Sequence, residues 1–577
     1  MKSLSKKTYI IIFFIAKILI LSAQNSFTSQ EIDFTNEKPS FVSVLGGNIL
    51  CQPVKTSYGY IAAGDGKQIL GFSKLGKLLW QRAAPGRLKP FITEGPADLI
   101  YGATTDSTLF MMNSSGLVLW TQKSDFNIEE APLCGRDGRI FIRGTSGISC
   151  YGLKGVKRWQ IETEMQNISI PLATLNDGTI LVFLSRTHDG KSIAKRISPF
   201  GTEKEEIIFA GQVLQAVSCK EGVALAFSDG SIGLCSVNEN GSYSKWTFLK
   251  KDSGSAKLLE VSGKIAAIYK NSVYYLNEKT GGKISEFQNG VQNFFYSENT
   301  SQGLVICSAH NGACYKEDGK VSWKAKFNPQ KKWNFMFASD SGYLVFCMSN
   351  WALEVFQTRL NLSKSQDSFI EKKVSPYNYK YSGIKSDDFS GRAINENLEA
   401  QMKEKFSQGN FGAEEENWNS LIQSELGFLY EDWTKTENLF YNEKPYFKRN
   451  IDYCQRLIEL ESESGIYFGK LSSLLKKTDD PSLLLCLVRA AEKSSFDPQG
   501  ELLSSIEIIL KTKTSKNDKK LLQEIADSTY EICHFMGRPS FFRKGQEILK
   551  YMLYPQFDKE TKDYALKTLD KIIESQL

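Results

Sequence analysis

Apolar residues between positions 58 and 357 come in pairs of short runs, each pair split by a turn of small or polar residues. Eight copies can be aligned: YGYIAAGDGKQILGFS from Tyr58, DLIYGATTDSTLFMMN from Asp98, GRIFIRGTSGISCYG from Gly138, GTILVFLSRTHDGKSIAKRI from Gly178, GVALAFSDGSIGLCSV from Gly222, GKIAAIYKNSVYYLN from Gly263, GLVICSAHNGACYKE from Gly303 and GYLVFCMSNWALEVF from Gly342. Anchored on Gly59, the copies are spaced 39, 40, 40, 44, 41, 40 and 39 residues apart. Runs this short, bounded by turn residues, read as strands, and each pair reads as a hairpin. A period near 40 with one hairpin per copy predicts the blades of a β-propeller, four strands to a blade.

A second element falls between the hairpins. A glycine precedes an aromatic residue by four or five positions: Gly76 and Trp80, Gly116 and Trp120, Gly155 and Trp159, Gly241 and Trp246, Gly319 and Trp323, with Gly282 and Phe287 as a weaker copy. The segment GTEKEEIIF from Gly201 has lost its tryptophan. Glycine permits the positive φ of a tight turn. The ring that follows opens the outer strand and can wedge between neighbouring blades. One blade cannot bury both faces of its sheet, so blades must stack. Trp80, Trp120, Trp159, Trp246, Phe287 and Trp323 are therefore expected to be structural blade-docking residues rather than ligand contacts.

The eighth hairpin lacks a Gly–Trp strand after it. The segment EIDFTNEKPS from Glu31 is similar to WKAKFNPQ from Trp323, so residues 31 to 36 are expected to supply the missing outer strand of the last blade. Closure of this kind removes an exposed sheet edge.

Hairpin, then Gly-x-x-x-Trp, at about 40 residues resembles the tryptophan-docking repeat of the pyrroloquinoline-quinone-like propellers. That family includes quinoprotein dehydrogenases and the propeller lipoprotein of the outer-membrane barrel-assembly machinery. The resemblance spans roughly residues 31 to 360. It implies an eight-bladed fold and leaves activity open, because one fold hosts many functions. The dehydrogenases carry a vicinal Cys–Cys disulfide over the cofactor and calcium ligands in the channel. This chain has no Cys-Cys dipeptide and no evident set of acidic calcium ligands, so quinone and calcium are not expected. The lipoprotein carries a cysteine straight after its leader; here the first cysteine is Cys51, and lipid attachment is not expected either.

Lys2, Lys6 and Lys7 precede an apolar run from Tyr9 to Ala23 that is interrupted by Lys17. A basic start, a short apolar core and small residues at Ser22 and Ala23 describe a secretory signal peptide, with cleavage near Ala23 favoured over an uncleaved anchor. No later segment is long and apolar enough to predict a membrane span. The expected location is therefore periplasmic or envelope-associated. With 71 basic and 65 acidic residues the net charge is +6, and the lysines are scattered, which argues against a nucleic-acid partner. Eleven cysteines include Cys150, Cys235, Cys307, Cys314 and Cys347 in predicted strands, where cysteine behaves as a small apolar residue. Cys307 and Cys314 lie on two arms of one hairpin, and a buried unpaired state is favoured over a disulfide there.

From about Leu362 the pattern changes. Residues 363–392 are polar and read as a linker. Residues 393–577 carry helical periodicity instead. Asp480-Pro481 and Asp497-Pro498 read as helix starts, Gly537 as a helix end, Pro539 as the next start and Asp558 as a cap. Tyr564, Leu566, Leu569, Ile572 and Ile573 would form the apolar stripe of the last helix. Alternating short helices and turns resemble a HEAT or armadillo-like solenoid; a compact bundle fits equally. The domain reading is thus a leader (1–23), a propeller (31–362), a linker (363–392) and a helical domain (393–577).

Catalytic constellations are sparse. His188 and His310 fall in hairpin turns, and His534 adjoins Cys533 on a helix, where neighbours diverge. His-Glu-x-x-His, Cys-x-x-Cys, Walker A and Gly-x-Ser-x-Gly patterns are absent from the sequence. Asp65-Gly66, Asp137-Gly138, Asp177-Gly178, Asp189-Gly190 and Asp229-Gly230 read as tight turns rather than calcium sites. The expectation is a non-catalytic exported scaffold that binds protein partners of the cell envelope through propeller loops and a helical surface. The alternative is a divergent quinone-dependent oxidoreductase.

Overall fold

The computed structural model describes residues 30–357 and 471–576, apart from short stretches within each. The expected leader, the linker and residues 393–470 of the helical region lie outside the described residues.

Eight sheets form from consecutive stretches: 54–83, 88–123, 133–162, 173–208, 213–248, 257–288, 296–326 and 333–357, here blades one to eight. Blades one to seven each take four strands from their own stretch, paired antiparallel in chain order. The first strands of successive blades lie against one another, so they form the inner wall of the ring. The glycine-to-aromatic strand is outermost in blades one, two, three, five and six. This is the eight-bladed propeller that the 40-residue period predicts, followed by helices.

Closure differs from the expectation in register. The outer strand of blade eight is Phe41–Val44, antiparallel to Ala352–Gln357 with Phe41 opposite Val355. Gln30–Asp33 instead runs parallel to Val321–Lys326 and adds a fifth strand to blade seven. The resemblance of EIDFTN to the segment after Trp323 was therefore misleading: the two segments pair side by side. Ile32 and Phe34 then bury against blades seven and eight.

The core is divided among the seams between blades. One apolar cluster lies at each of the eight seams among the described residues. The docking rings explain why. A Cβ on Gly116 of blade two would sit 2.6 Å from the Trp80 ring of blade one. Gly155 stands equally close to Trp120, at 2.6 Å, Gly201 to Trp159 at 2.9 Å and Gly281 to Trp246 at 2.5 Å. Gly319 meets Phe287 at 2.6 Å, so phenylalanine serves where tryptophan is missing. All five glycines have positive φ, between 67° and 87°. Each glycine thus meets two demands, a left-handed turn and a flat seat for the preceding blade's ring. Trp323, almost fully buried, joins the seven–eight seam with Ile32 and Phe34. In blade four Ile207 and Phe209 fill the place of the lost tryptophan. At ring closure Val345 of blade eight packs 2.6 Å from the Gly76 position.

Side chains also stitch the seams to neighbouring backbone. Gln215 of blade five bridges Leu258 of blade six, accepting from its N–H at 2.8 Å and donating to its carbonyl at 3.1 Å. The Tyr60 hydroxyl donates to the Ala338 carbonyl at 2.8 Å, and the Tyr296 hydroxyl accepts from the Ala338 N–H at 2.9 Å. Buried backbone groups need such partners.

Five helices are described in full: α1 (Pro481–Ser494), α2 (Glu501–Thr512), α3 (Lys519–Met536), α4 (Pro539–Tyr551) and α5 (Lys559–Glu574). α3 is central and packs against all four of the others. Gly537 ends α3 at φ 63°, its N–H returning to the Cys533 carbonyl at 2.9 Å. Asp558 caps α5 by accepting from the Thr561 N–H at 2.7 Å. α2 begins three residues later than Asp497-Pro498 suggests, after the left-handed Gly500. Asp497 still serves it, accepting from the Leu503 N–H at 3.0 Å. In α5, Leu569 and Ile572 are buried, but Leu566 and Ile573, expected in the same stripe, are nearly half exposed.

Candidate interaction surface

The seam between blades two and three is unlike the others: its apolar cluster continues out of the propeller. Leu99, Tyr101, Phe126, Ile140 and Leu153 share one core with Leu487, Leu503, Ile525, Phe535 and Phe541 of the helices. The helical unit is therefore docked on blades two and three, at the hairpin turns that carry Asp98, Asn113, Ser114 and Lys154.

Polar groups complete this joint. The last carbonyls of an α-helix lack intrahelical partners. At the end of α3 the propeller supplies them: Asn113 Nδ2 donates to the His534 carbonyl at 2.7 Å, and the Ser114 hydroxyl to the Met536 carbonyl at 3.1 Å. Asn113 is held for this role by its own turn, where its Oδ1 accepts from Ser115 and Leu117 N–H groups at 3.0 Å. A Cβ at Gly537 would lie 2.5 Å from Asn113 Cγ, so this glycine admits the contact as well as ending the helix. Lys154 of blade three places its ammonium 4.0 Å above the Phe535 ring and near the negative end of α3.

One ion pair is sealed within the joint. Arg538 Nη2 lies 3.2 Å from Asp98 Oδ2, with both side chains 3 % exposed. The same guanidinium donates to the Pro498 carbonyl at 2.9 Å. Asp98 in turn accepts from the Ser57 N–H at 2.8 Å and from the Ser57 hydroxyl, which ties in blade one. Asp98 has φ 59°, a conformation that Asp and Asn tolerate better than most residues. Burial holds the Glu531 carboxyl above its usual range, opposed by Lys154. Burial, then Lys154, pushes the His534 imidazole below its ordinary value.

The residues singled out in the sequence are scattered. The six docking aromatics lie at six different seams and do not converge on a site. His188 and His310 are exposed in turns, and His534 stacks on Tyr530 with ring centroids 5.4 Å apart. Asp229 makes a local turn, accepting from the Ser231 N–H at 2.9 Å and hydroxyl at 2.6 Å, which lowers its pKa. Asp137, Asp177 and Asp189 lie outside the described residues. Cys307 and Cys314 are buried and unpaired; Cys307 faces Gly312 across the hairpin and Cys314 faces Val305. Among the described residues no three His, Cys, Asp or Glu side chains come together as a metal would require, and no helix is long and apolar enough to cross a membrane.

The described residues also contain a recess that the sequence reading missed. It lies between blades seven and eight, has a cavity volume of about 20 Å³ with Lys331 in place, and opens to solvent. Phe34, Phe327, Trp333, Phe346 and Phe356 wall it, with Lys331 and Glu354 among its lining residues. Phe346 packs edge-on to Phe327, Trp333 and Phe356 at 5.1, 5.3 and 5.5 Å between centroids. The aromatics come from the appended strand, the connection between blades and the last hairpin, so no local motif announces them.

No protein-family model matches the chain, and no curated protein matches it. Solved structures similar to it include BamB from Moraxella catarrhalis, at 13% identity over 56% of this chain and 99% of that one, TM-score 0.39. The C-terminal WD40 domain of Sif2 is similar at 12% identity over 55% and 98%, TM-score 0.41, and the computationally designed Ika8 protein at 14% over 57% and 100%, TM-score 0.39. At this level the blade count and topology stand on the strand pairing itself.

Proposed function

We propose that this chain is a non-catalytic scaffold that is exported and binds protein partners of the cell envelope. The observation that supports it is the continuous core between ring and helices. A seam of the propeller, a buried ion pair and the end of α3 fix two surfaces in one orientation. Rigid scaffolds that present loops are a common basis of recognition. The ring end of blades four to eight and the outer helical surface, where Ile508, Leu566 and Ile573 are exposed, are the faces offered to partners. Export rests on the leader-like residues 1–23, and an envelope role on the family resemblance of the repeats.

The test is site-specific photocrosslinking in cells from Leu566 and Ile573, with Asp substitutions beside each probe. The reading expects one defined adduct that the charge substitutions abolish. Adducts that are absent, or indifferent to the substitutions, would refute it. No observation on the described residues favours the quinone-dependent alternative; reconstitution with quinone and calcium followed by dye reduction would test it directly.

A further inference from the structure

We propose that the recess between blades seven and eight is a binding site for the primary ammonium of a partner's lysine side chain, occupied in the free protein by Lys331. The chemistry is read from the occupant. Lys331 Nζ lies 2.5 Å from Glu354 Oε2 and 5.6 Å from the centroid of the Phe356 ring. Its side chain remains 37 % exposed, whereas that of Glu354 is 14 % exposed. The acid is therefore the fixed half of the pair and the lysine the half nearer solvent. Aromatic faces attract cations, and the attraction strengthens as water is removed. The rings here come from three separate chain segments and interlock edge to face, so the walls are set before any ligand arrives.

Carboxylate and rings together fit a primary ammonium on an alkyl stem. The ammonium donates to Glu354 and the stem lies along Phe346 and Phe356, as the stem of a lysine does on other apolar surfaces. Lys331 competes from within the chain at a high effective concentration, so the wild-type protein binds weakly until a partner displaces it. Phe295, about half exposed, stacks on Trp333 with centroids 4.8 Å apart and extends the apolar wall beside the recess. The inference concerns the recess alone and does not depend on the scaffold reading.

The experiment titrates Nα-acetyl-lysine N-methylamide into wild-type protein, Lys331→Ala and Lys331→Ala/Glu354→Gln, reading Trp333 emission with Trp333→Phe as the blank. The norleucine analogue and tetramethylammonium are run alongside. Lys331→Ala should bind the lysine compound at least tenfold more tightly than wild type, and adding Glu354→Gln should reverse that gain. Equal affinity for the norleucine analogue would make the recess an apolar slot, and tighter binding of tetramethylammonium would make it a quaternary-ammonium site; either overturns the proposal. A second readout uses unaltered protein. Saturating lysine compound should raise the acetylation of Lys331 several-fold relative to the exposed Lys567, a ratio by mass spectrometry that cancels the ligand amine's own consumption of reagent, and an unchanged ratio would overturn the displacement step.

Discussion

Replacing Asp98 by Asn tests the joint between ring and helices at its least forgiving point. Asn tolerates the φ of 59° found there and keeps an acceptor for the Ser57 N–H. What it removes is the negative charge 3.2 Å from Arg538 in a site where both side chains are 3 % exposed. Arg538 cannot shed its proton to compensate. Breaking a buried pair from one side costs about 3–5 kcal/mol, because a desolvated charge loses its counter-charge. At 1.4 kcal/mol per factor of ten, the docked state should weaken by about 10²- to 10³-fold or more. Arg538→Met should cost less, since Asp98 keeps the Ser57 N–H and hydroxyl as donors. The double variant should recover most of the loss, as paired apolar or neutral replacements often do. The assay is urea unfolding followed by circular dichroism at 222 nm, with the four proteins forming a double-mutant cycle. An Asp98→Asn protein within about 0.5 kcal/mol of wild type, or costs that simply add, would refute the reasoning.

Three further outcomes follow from the same structure. Gly116→Ala puts a methyl 2.6 Å from the Trp80 ring at φ 83°, and should cost about 2–4 kcal/mol by thermal melting; Gly190→Ala, at φ 81° with nothing within 4 Å, should cost about 1. Equal losses would show that the ring seat contributes nothing. Burial raises the Asp497 carboxyl to about 6 from 3.8, so the unfolded chain ionises first. The stability this group contributes is full below about pH 4 and is lost as pH rises through 6, and Asp497→Asn should gain on wild type above that, by up to about 3 kcal/mol. An Asn variant that is weaker at pH 8 than at pH 4, relative to wild type, contradicts this. Burial raises the thiols of Cys307, Cys314, Cys347 and Cys533, Cys314 to about 12, so all four should resist maleimide labelling until the protein unfolds. Rapid labelling of native protein, read by peptide mass spectrometry, would oppose it.

The blades were legible because one local rule recurs. A glycine at positive φ, four or five residues ahead of an aromatic ring, specifies a turn and a wedge in the same few residues. The partner of each ring was also within reach, as the glycine of the next repeat. Closure was read ten residues too early, since Phe41–Val44 exposes Val42 and Val44 and shows no buried apolar alternation of its own. Helix ends at Gly537, Pro539 and Asp558 were readable from capping chemistry. The joint was not, because Asn113 and His534 are 421 residues apart and each looks ordinary locally, as turn and helix end. Arg538 gave a weak signal: a cation between Gly537 and Pro539 is unremarkable until Asp98 is brought beside it. The aromatic recess was hidden for the same reason, its walls coming from residues 34, 327, 333, 346 and 356.

The central claim is that the helices are seated on blades two and three in a fixed orientation. Lys154 of blade three and Glu531 of α3 are both half-buried and close enough to interact, so cysteines at these two positions can be joined by a short bis-maleimide. The account predicts rapid bridging within single molecules of folded protein. Absence of that bridge while both units remain folded, or bridging only between molecules, would contradict it.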